Sequence, residues 1–546
     1  MLPAPIPGDV GEEVIKDWLK ERGIPFAPEV YEGYGKDEPL DEALVLAMAT
    51  LMTNVDRPVF ALTDAVPAEV RAALFSRYSR SPRPLRLVLA REFMRAEGLN
   101  LSQENFNAGI VDKEKARGFF SRVLAEYGDD SVGQLGVVSV GCEMVSQLAV
   151  KEIEDGRLGA YLEKSTRYIS YSEKINGSYL FFRPPEIMSS SRGGEYEGLM
   201  DEAFGLYGKA LPLVVDYLRS KFPNVEGKDE RVYNSAIRAK AYDVVRVFLP
   251  MATLTNVGAV FSGQAVESMI NKMAVSPLME SRWLAAEVKR EVDGVIPSLV
   301  SRVGDERYGG RFRRYLVESD KRTRELATKY LERLPVGGRS EDVDLVWWEE
   351  DGEDKILAGI LFPHARADLG KVMEVVQGLS EQEKVALVEA NLTGRSDRRH
   401  KPGRAYEQTH YGLSLKGKIA EWRDLQRHRM LTQQRQLLTV EEGVGIPKEF
   451  EEIDVDGKNL AHDIYFNHMQ KRMGLYHALA REISPEVAQY VVGFGNLMRW
   501  SMVVNLRQLY HMLPLRASPA GHPDYRWLAR EMYYKIAAVH PIVALP

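Results

Sequence analysis

Residues 505–536 read NLRQLYHMLPLRASPAGHPDYRWLAREMYYKI, and residues 261–292 read FSGQAVESMINKMAVSPLMESRWLAAEVKREV. Laid 244 positions apart without a gap, Arg526, Trp527, Leu528 and Ala529 fall on Arg282, Trp283, Leu284 and Ala285. Glu531 falls on Glu287, Gln508 on Gln264, Leu513 on Met269 and Arg516 on Lys272. RWLAxE alone is short enough to recur by chance. The agreement of apolar and cationic positions around it reads as an internal duplication. The competing reading is two unrelated amphipathic helices with similar stripes.

Working outward, LPVGGRSEDVD at 334–344 has the Pro, Gly and charge content of a linker. It divides an N-terminal repeat, 1–335, from a C-terminal repeat, 343–546. Either half is long enough to bury a full core. RPVFALTDAVPAEVRAALFSRY, 57–78, reads as a strand followed by a helix. VDLVWWEEDGEDKILAGILF, 343–362, reads as two short β-like runs around an acidic Gly turn. Longer stretches, such as 194–222 and 464–483, keep helical periodicity. Each half is therefore expected to be an α+β unit, a small mixed or antiparallel sheet packed with long helices.

Composition narrows the function classes. Lys plus Arg is 72 and Asp plus Glu is 78, so no chain-wide basic field exists to grip nucleic acid. Phosphate binding must come from local Arg clusters. The single cysteine, Cys142, excludes an intramolecular disulfide and a Cys-rich zinc site. Ten histidines without HExxH make no case for a metal. No apolar run spans a bilayer and the N-terminus lacks the pattern of a signal peptide, so a cytoplasmic protein without a membrane partner is expected.

The densest polar constellation is RDLQRHRMLTQQRQLLT, 423–439. Arg427, His428 and Arg429 are consecutive, with Arg423 and Arg435 nearby. On a helix they would point in different directions; in a turn they can surround an anionic ligand from two sides, each Arg offering a planar fork to phosphate. Taken alone, such a triplet is more often a solvated basic turn. Upstream, RAYEQTHYGLSLKGKIAEW, 404–422, alternates like a strand entering a helix. Far downstream Arg507 and His511 share one helical face, beside Leu506, Leu509, Met512 and Leu513. Polar residues on so apolar a helix need partners.

These residues resemble the flavin-dependent thymidylate synthases, the ThyX family. The family signature is RHR-xx-S-x-N-xx-S-x-R, followed much later by N-x-R-xxx-[NH]-FLxLR. The C-terminal repeat has Tyr406-Glu407, Arg427-His428-Arg429, then Asn505, Arg507, His511 and Leu515-Arg516, in the family's order. It departs after the triplet, with Thr432, Gln434, Leu437 and Thr439 where the family has Ser, Asn, Ser and Arg. In the N-terminal repeat, Asp155, Gly156 and Arg157 occupy the RHR place. Yet Glu163, Ser165, Arg167 and Tyr168 keep the E-x-S-x-R-Y tail, and Arg246 matches the Arg of the family's A-R-xx-LP segment. Gln489 stands at that place in the second half. Conversely, Gly263, Glu267 and Lys272 stand where the second half has Arg507, His511 and Arg516. Asp129-Asp130-Ser131 resembles the family's H-x-S with the His gone.

The resemblance implies reductive methylation of dUMP to dTMP. Methylenetetrahydrofolate and NADPH are the implied co-substrates and FAD the implied cofactor. It implies that Glu163, Ser165, Arg167, Arg246 and Arg427 hold dUMP. It assigns Arg427, His428, Arg429, Gln434, Glu407, Asn505, Arg507 and His511 to FAD. Arg516 would sit by the uracil ring as the catalytic cation, favouring its ionised form. The complementary losses point to a composite site built from one half of each kind. Two such chains would associate as a pseudo-tetramer. A catalytically inactive nucleotide or flavin binder is the alternative, resting on Leu437, Thr439 and Gly156. Flavin-dependent methylation of another uracil is a third reading, against which the acidic net charge argues.

Overall fold

The computed structural model describes residues 48, 50–53, 60–78, 81, 85–94, 133–224, 227, 229–334, 341–519 and 521–544. Asp129–Ser131 and the central part of the 334–344 linker lie outside the described residues. The first repeat runs β1 (Val137–Ser146), α1 (Gln147–Ile153), β2 (Gly159–Glu163), α2 (Gly193–Lys221), α3 (Glu230–Val245), β3 (Leu254–Ser262), α4 (Gly263–Met273) and α5 (Met279–Asp293). A helix α6 (Arg311–Leu331) leads to the second repeat. That repeat runs β4 (Val343–Trp348), α7 (Gly352–Leu361), β5 (His410–Lys418), α8 (Ile419–Leu425), β6 (Thr432–Arg435), α9 (Asn467–Glu482), β7 (Leu497–Asn505), α10 (Leu506–Arg516) and α11 (Pro523–Val539). The sheets are small and antiparallel, ordered β1-β3-β2 and β4-β5-β7-β6. The fold is α+β.

Two local readings differ. The run after Trp348 is the helix α7, not a second strand: Glu353 and Asp354 sit in its first turn, and Ile356, Leu357 and Ala358 bury one face. In the 57–78 stretch the helix Ala68–Tyr78 forms, and among the described residues the expected strand shows as one bridge between Met52 and Leu62.

The two repeats are equivalent in detail. Ser262 caps α4 by accepting from the Ala265 N–H, and Asn505 caps α10 by accepting from the Gln508 N–H. Counting from these caps puts the repeats 243 positions apart here, not 244. The loop before the next helix has five residues, 274–278, in the first repeat and six, 517–522, in the second, which restores 244 for RWLA. The residues in the places of Arg507, His511 and Arg516 are therefore Gln264, Ser268 and Met273, which corrects the ungapped register. An ungapped match cannot see a one-residue loop change that both helices tolerate.

The repeats face each other across a local two-fold axis. Pro250 forms an antiparallel bridge with Gly493, its own counterpart. Met251 N–H donates to Val492 O (2.8 Å), and Phe494 N–H donates to Leu249 O (2.8 Å), the mirror-equivalent bond. One hydrophobic core joins both repeats; in it Phe248 stacks on Phe450, and Tyr465 meets both rings edge-on. A second core belongs to the first repeat alone. Buried Arg472 in α9 reaches across the axis to Phe248 O and donates to His468 Nε2 (2.8 Å).

Gly493 is held by this packing, since a Cβ there would collide with Arg472 Nη1, which has no exposed path to move into. Gly493→Ala should therefore lower stability by about 1–3 kcal/mol. Gly474→Ala, facing open space in α9, should raise it by roughly 0.5–1 kcal/mol. Urea unfolding midpoints of the two variants provide the comparison.

Candidate functional site

The site is built around α8, a seven-residue helix in which every residue is buried although three are charged. It starts where β5 ends, and its first amides bond to the axis segment: Ile419 N–H to Asn496 O (3.0 Å) and Ala420 N–H to Phe494 O (3.0 Å). Its charges must therefore be matched by neighbours, because unpaired buried charge is costly. Asp424 finds Arg516 Nη1 at 3.5 Å from its own repeat and Arg246 Nη2 at 3.6 Å from the other. Arg246, 2% exposed, also donates to Ala420 O (3.3 Å) and lies 3.3 Å from Asp243. Asp243 in turn holds Arg167 at 2.8 Å, and Arg167 Nη1 donates to Tyr525 Oη (3.4 Å). Burial pushes the Asp424 carboxyl up, but Arg246, Arg516, Arg167 and Arg427 outweigh it and hold the carboxyl below its ordinary value.

The RHR triplet lies in the turn between α8 and β6, and its residues alternate. Arg427 and Arg429 are exposed and His428 is buried. His428 Nε2 accepts from Arg516 Nε (3.0 Å), so the neutral ring carries its proton on Nδ1, which donates to the Gln508 side-chain oxygen once that amide is turned end for end from the Nε2-facing orientation (3.2 Å). Burial, then Arg516 and His511, push the ring down to about 3. Arg429 points outward over the Tyr161 ring of the other repeat (5.8 Å). Gln433 Nε2 ties the turn by donating to Leu425 O and His428 O.

Two large cavities flank this cluster. One, of about 1030 Å³, lies between the repeats and is lined by Arg167, Lys240, Arg231, His522 and Arg526, with Asp243 and Glu449. The other, of about 710 Å³, has an apolar floor of Tyr161, Phe261, Met269 and Leu431. Its rim carries His428 and Arg429 with Glu152, Asp155, Arg157 and Lys272. A small recess beside it joins Arg427 and Arg429 to Tyr161 and Glu163.

The structure thus brings Arg167, Arg246, Arg427, His428, His511 and Arg516 together from both repeats. The His511 ring lies 6.1 Å from that of His428. Ser165 Oγ accepts from the Arg167 N–H (3.1 Å) and so shapes the turn that presents Arg167. Other expected residues are engaged elsewhere. Glu163 is buried with Lys151 Nζ and Arg423 Nη2, each at 3.0 Å. Burial opposes its charge, but Lys151 and Arg423 prevail and pull the carboxyl down to about 2. Asn505 spends its side chain on the α10 cap. Arg507 Nη1 pairs with Glu407 at 2.9 Å, and its Nε donates to Pro402 O. Gln434 sits on the exposed face of β6 and lines neither cavity.

Three participants were not singled out from sequence. Asp424 stands inside the quoted 423–439 stretch and His522 inside 505–536, and only their partners mark them. Asp243 carries no local signal at all. The reciprocal place in the first repeat has lost the counterparts of three of these cations. Glu152 stands in the place of Asp424 and Gly156 in that of His428, with Met273, Gln489 and Thr439 for Arg516, Arg246 and Arg167. Gln489 is bound to backbone, accepting from Leu438 N–H (3.1 Å) and donating to Glu486 O (3.0 Å). Glu152, mainly through burial, is pushed up rather than down.

Three buried histidines make stability depend on acid. Burial is the first cause that holds His428 down to about 3, and His468 and His522 to about 4. In the unfolded chain each protonates near about 6.5. Their contribution is full above that value and is lost as pH falls toward about 4, at up to about 1.4 kcal/mol per pH unit each. Urea midpoints should drop steeply between pH 6.5 and 4, and His428→Gln should blunt the slope.

The model of the family "Thymidylate synthase complementing protein" matches residues 78–298 and 365–542. One matched segment falls on each repeat, and the gap between them holds α6, β4 and α7. A UPF0159 protein of Chlamydia pneumoniae is 35% identical over 517 residues, covering 94% of this chain and 95% of that one. One from Chlamydia muridarum is 33% identical over 497 residues, covering 90% and 92%. One from Thermoplasma acidophilum is 30% identical over 499 residues, covering 87% and 94%. Among the described residues no helix is long and apolar enough to cross a membrane. With the matched segments falling on both repeats, the chain belongs to the thymidylate synthase complementing protein (ThyX) family, in a two-repeat form.

Proposed function

We propose that the protein is a flavin-dependent thymidylate synthase with one composite site per chain, converting dUMP to dTMP with methylenetetrahydrofolate and NADPH. The observation that carries this reading is the surplus of positive charge between the repeats. Four guanidiniums, Arg167, Arg246, Arg427 and Arg516, surround two carboxylates, Asp243 and Asp424. Arg246 is buried, Arg167 and Arg516 are half-buried and Arg427 is exposed, and such a surplus of cations suits an anionic ligand. Arg246 Nε is buried without a hydrogen-bond partner, as are Asp243 Oδ1 and Asp424 Oδ2, so the cluster is not closed on itself.

The residues fit FAD and a nucleotide side by side. Arg427, His428 and Arg429 would meet FAD, with Arg429 over the apolar floor of the 710 Å³ cavity. The paired Arg507 and Glu407, with Asn505 and His511, would border its far end. When bound and reduced by NADPH, the flavin would supply the hydride. Arg167 and Arg246, with Ser165 shaping the turn, would hold the dUMP phosphate at the 1030 Å³ cavity. Glu163 would act at the edge of the recess it shares with Arg427. Arg516, fixed by Asp424 and His428, would present its remaining donors to the uracil ring and stabilise negative charge there. Asp424 and His428 thus hold the cation rather than touch substrate. Self-association of two chains into a pseudo-tetramer goes with this reading. It is supported by the apolar groove between α10 and α11, lined by Leu506, Leu513, Tyr533 and Ile536.

The second reading, a nucleotide or flavin binder without activity, draws on Arg507 being taken up by Glu407. The purified protein should carry or take up flavin, seen in its visible spectrum, and should form dTMP. Arg429→Ala and Arg167→Ala, in opposite repeats, should each lower kcat/KM by about a hundredfold, the scale of about 3 kcal/mol of charge-assisted bonding. Uptake of flavin without dTMP formation would leave the inactive binder. Full activity in Arg167→Ala would rule out the composite arrangement.

A further inference from the structure

The 1030 Å³ cavity runs along most of α3. Val232, Ser235, Ala236, Ala239, Lys240 and Asp243 line it, at the three- and four-residue spacing of one helical face. From Val232 to Asp243 that face extends about 16 Å, at about 1.5 Å per residue. The nucleotide reading uses only the Asp243 end, where Asp243 holds Arg167 at 2.8 Å. Beyond it Ser235, Ala236 and Ala239 are small, and Ser235 and Ala236 are exposed, so no side chain of this face closes the groove.

The rest of the cavity carries cations that no step above uses. Lys240 lies one helical turn before Asp243, its ammonium 4.0 Å from the centre of the Phe222 ring. Arg526 reaches the cavity from α11, and its Nε donates to Ala517 O (3.4 Å). Its counterpart Arg282 makes the equivalent bond to Ser276 O (2.6 Å), so holding this loop is common to both repeats. Arg231 stands at the far end of α3. Three carboxylates share the cavity. Asp243 is engaged by Arg167, Asp229 caps α3 by accepting from the Arg231 and Val232 N–H groups (2.8 and 3.2 Å), and Glu449 is buried. Among the described residues, Arg231, Lys240 and Arg526 form no ion pair with any of them.

We propose that this outer stretch is a second phosphate subsite, in which Lys240 and Arg526 hold the β-phosphate of a nucleoside di- or triphosphate whose first phosphate lies at Arg167. Arg231 is the cation left for the charge beyond it. The proposal rests on reading the Arg167 end as the nucleotide site. Continuity selects the ligand: the second phosphate of such a nucleotide is joined to the first, and Lys240 is the first cation met along α3 from Asp243. Lys240 offers a compact ammonium and Arg526 a planar fork, both of which suit phosphate oxygens. A monophosphate leaves all three cations to water. Affinity therefore rises with phosphate number, and nucleoside triphosphates compete with dUMP for the one cavity.

The test is binding of dUMP, dUDP and dUTP to the full chain by calorimetry, without divalent metal. Wild type should bind dUDP about tenfold more tightly than dUMP, the scale of one added charge-assisted hydrogen bond, and dUTP no less tightly than dUDP. Lys240→Met, which keeps the stem beside Phe222, should lose the preference for dUDP, and Lys240→Arg should keep it. Arg231→Ala, at an exposed helical position, should weaken dUTP relative to dUDP. A wild type that binds dUMP as tightly as dUDP, or a preference unchanged in Lys240→Met, overturns the subsite and leaves the nucleotide reading standing. Oligo-γ-glutamyl tetrahydrofolate also carries a chain of anions; if Lys240→Met weakens its binding and not that of dUDP, the subsite is not one for phosphate and the proposal is overturned. If none of the nucleotides binds, the nucleotide reading of the cavity fails and the subsite with it.

Discussion

Backbone groups in the segments 247–252 and 490–495 find their partners in each other. Each segment leaves a short 3₁₀ turn and must satisfy its amides before entering a strand. The bridge between Pro250 and Gly493, with its mirror-related bonds, does this for both at once. From that pairing the rest follows. The axis fixes how the repeats face, brings the first amides of α1 and α8 onto the same segments, and sets Arg246 of one repeat against Ala420 O and Asp424 of the other. No contact within a single repeat could assemble this cluster.

Electrostatics then breaks the symmetry that the backbone imposes. The two sides share one scaffold but not one set of charges. On the kept side Asp424 is surrounded by guanidiniums. On the other side Glu152 faces Ser276 Oγ at 3.0 Å, and the places of Arg246 and Arg516 hold Gln489 and Met273. Loss of the buried cations in step with one another avoids leaving any of them uncompensated. Between the sides, Glu163 with Lys151 and Arg423 forms a buried ion cluster that joins β2 to α8. Glu163 is thereby both a strut between repeats and a wall of the recess that holds Arg427.

Much of the site was legible because its residues are rare in their surroundings. Arg427, His428 and Arg429 stand out in a turn, and Arg507 and His511 on an apolar helix. What could not be read was direction and engagement. Alternation in the turn sends His428 inward and its neighbours outward, a matter of backbone path. Asn505 and Arg507 look like ligand contacts, yet one caps a helix and the other has an acidic partner a hundred residues earlier. Asp243 is one acid among many until Arg167 and Arg246 close on it. The slip from 244 to 243 positions was invisible because both offsets align apolar stripes, and only the capping residues distinguish them.

By itself the sequence determined that the chain is a duplicated α+β protein of the ThyX family, with motifs divided between its halves. Those are properties of residue type and spacing, which chain order preserves. Tertiary structure decided which half-motifs come together between the repeats and which charges pair with each other. These depend on distances across a two-fold axis and on burial, neither of which exists until the two repeats pack.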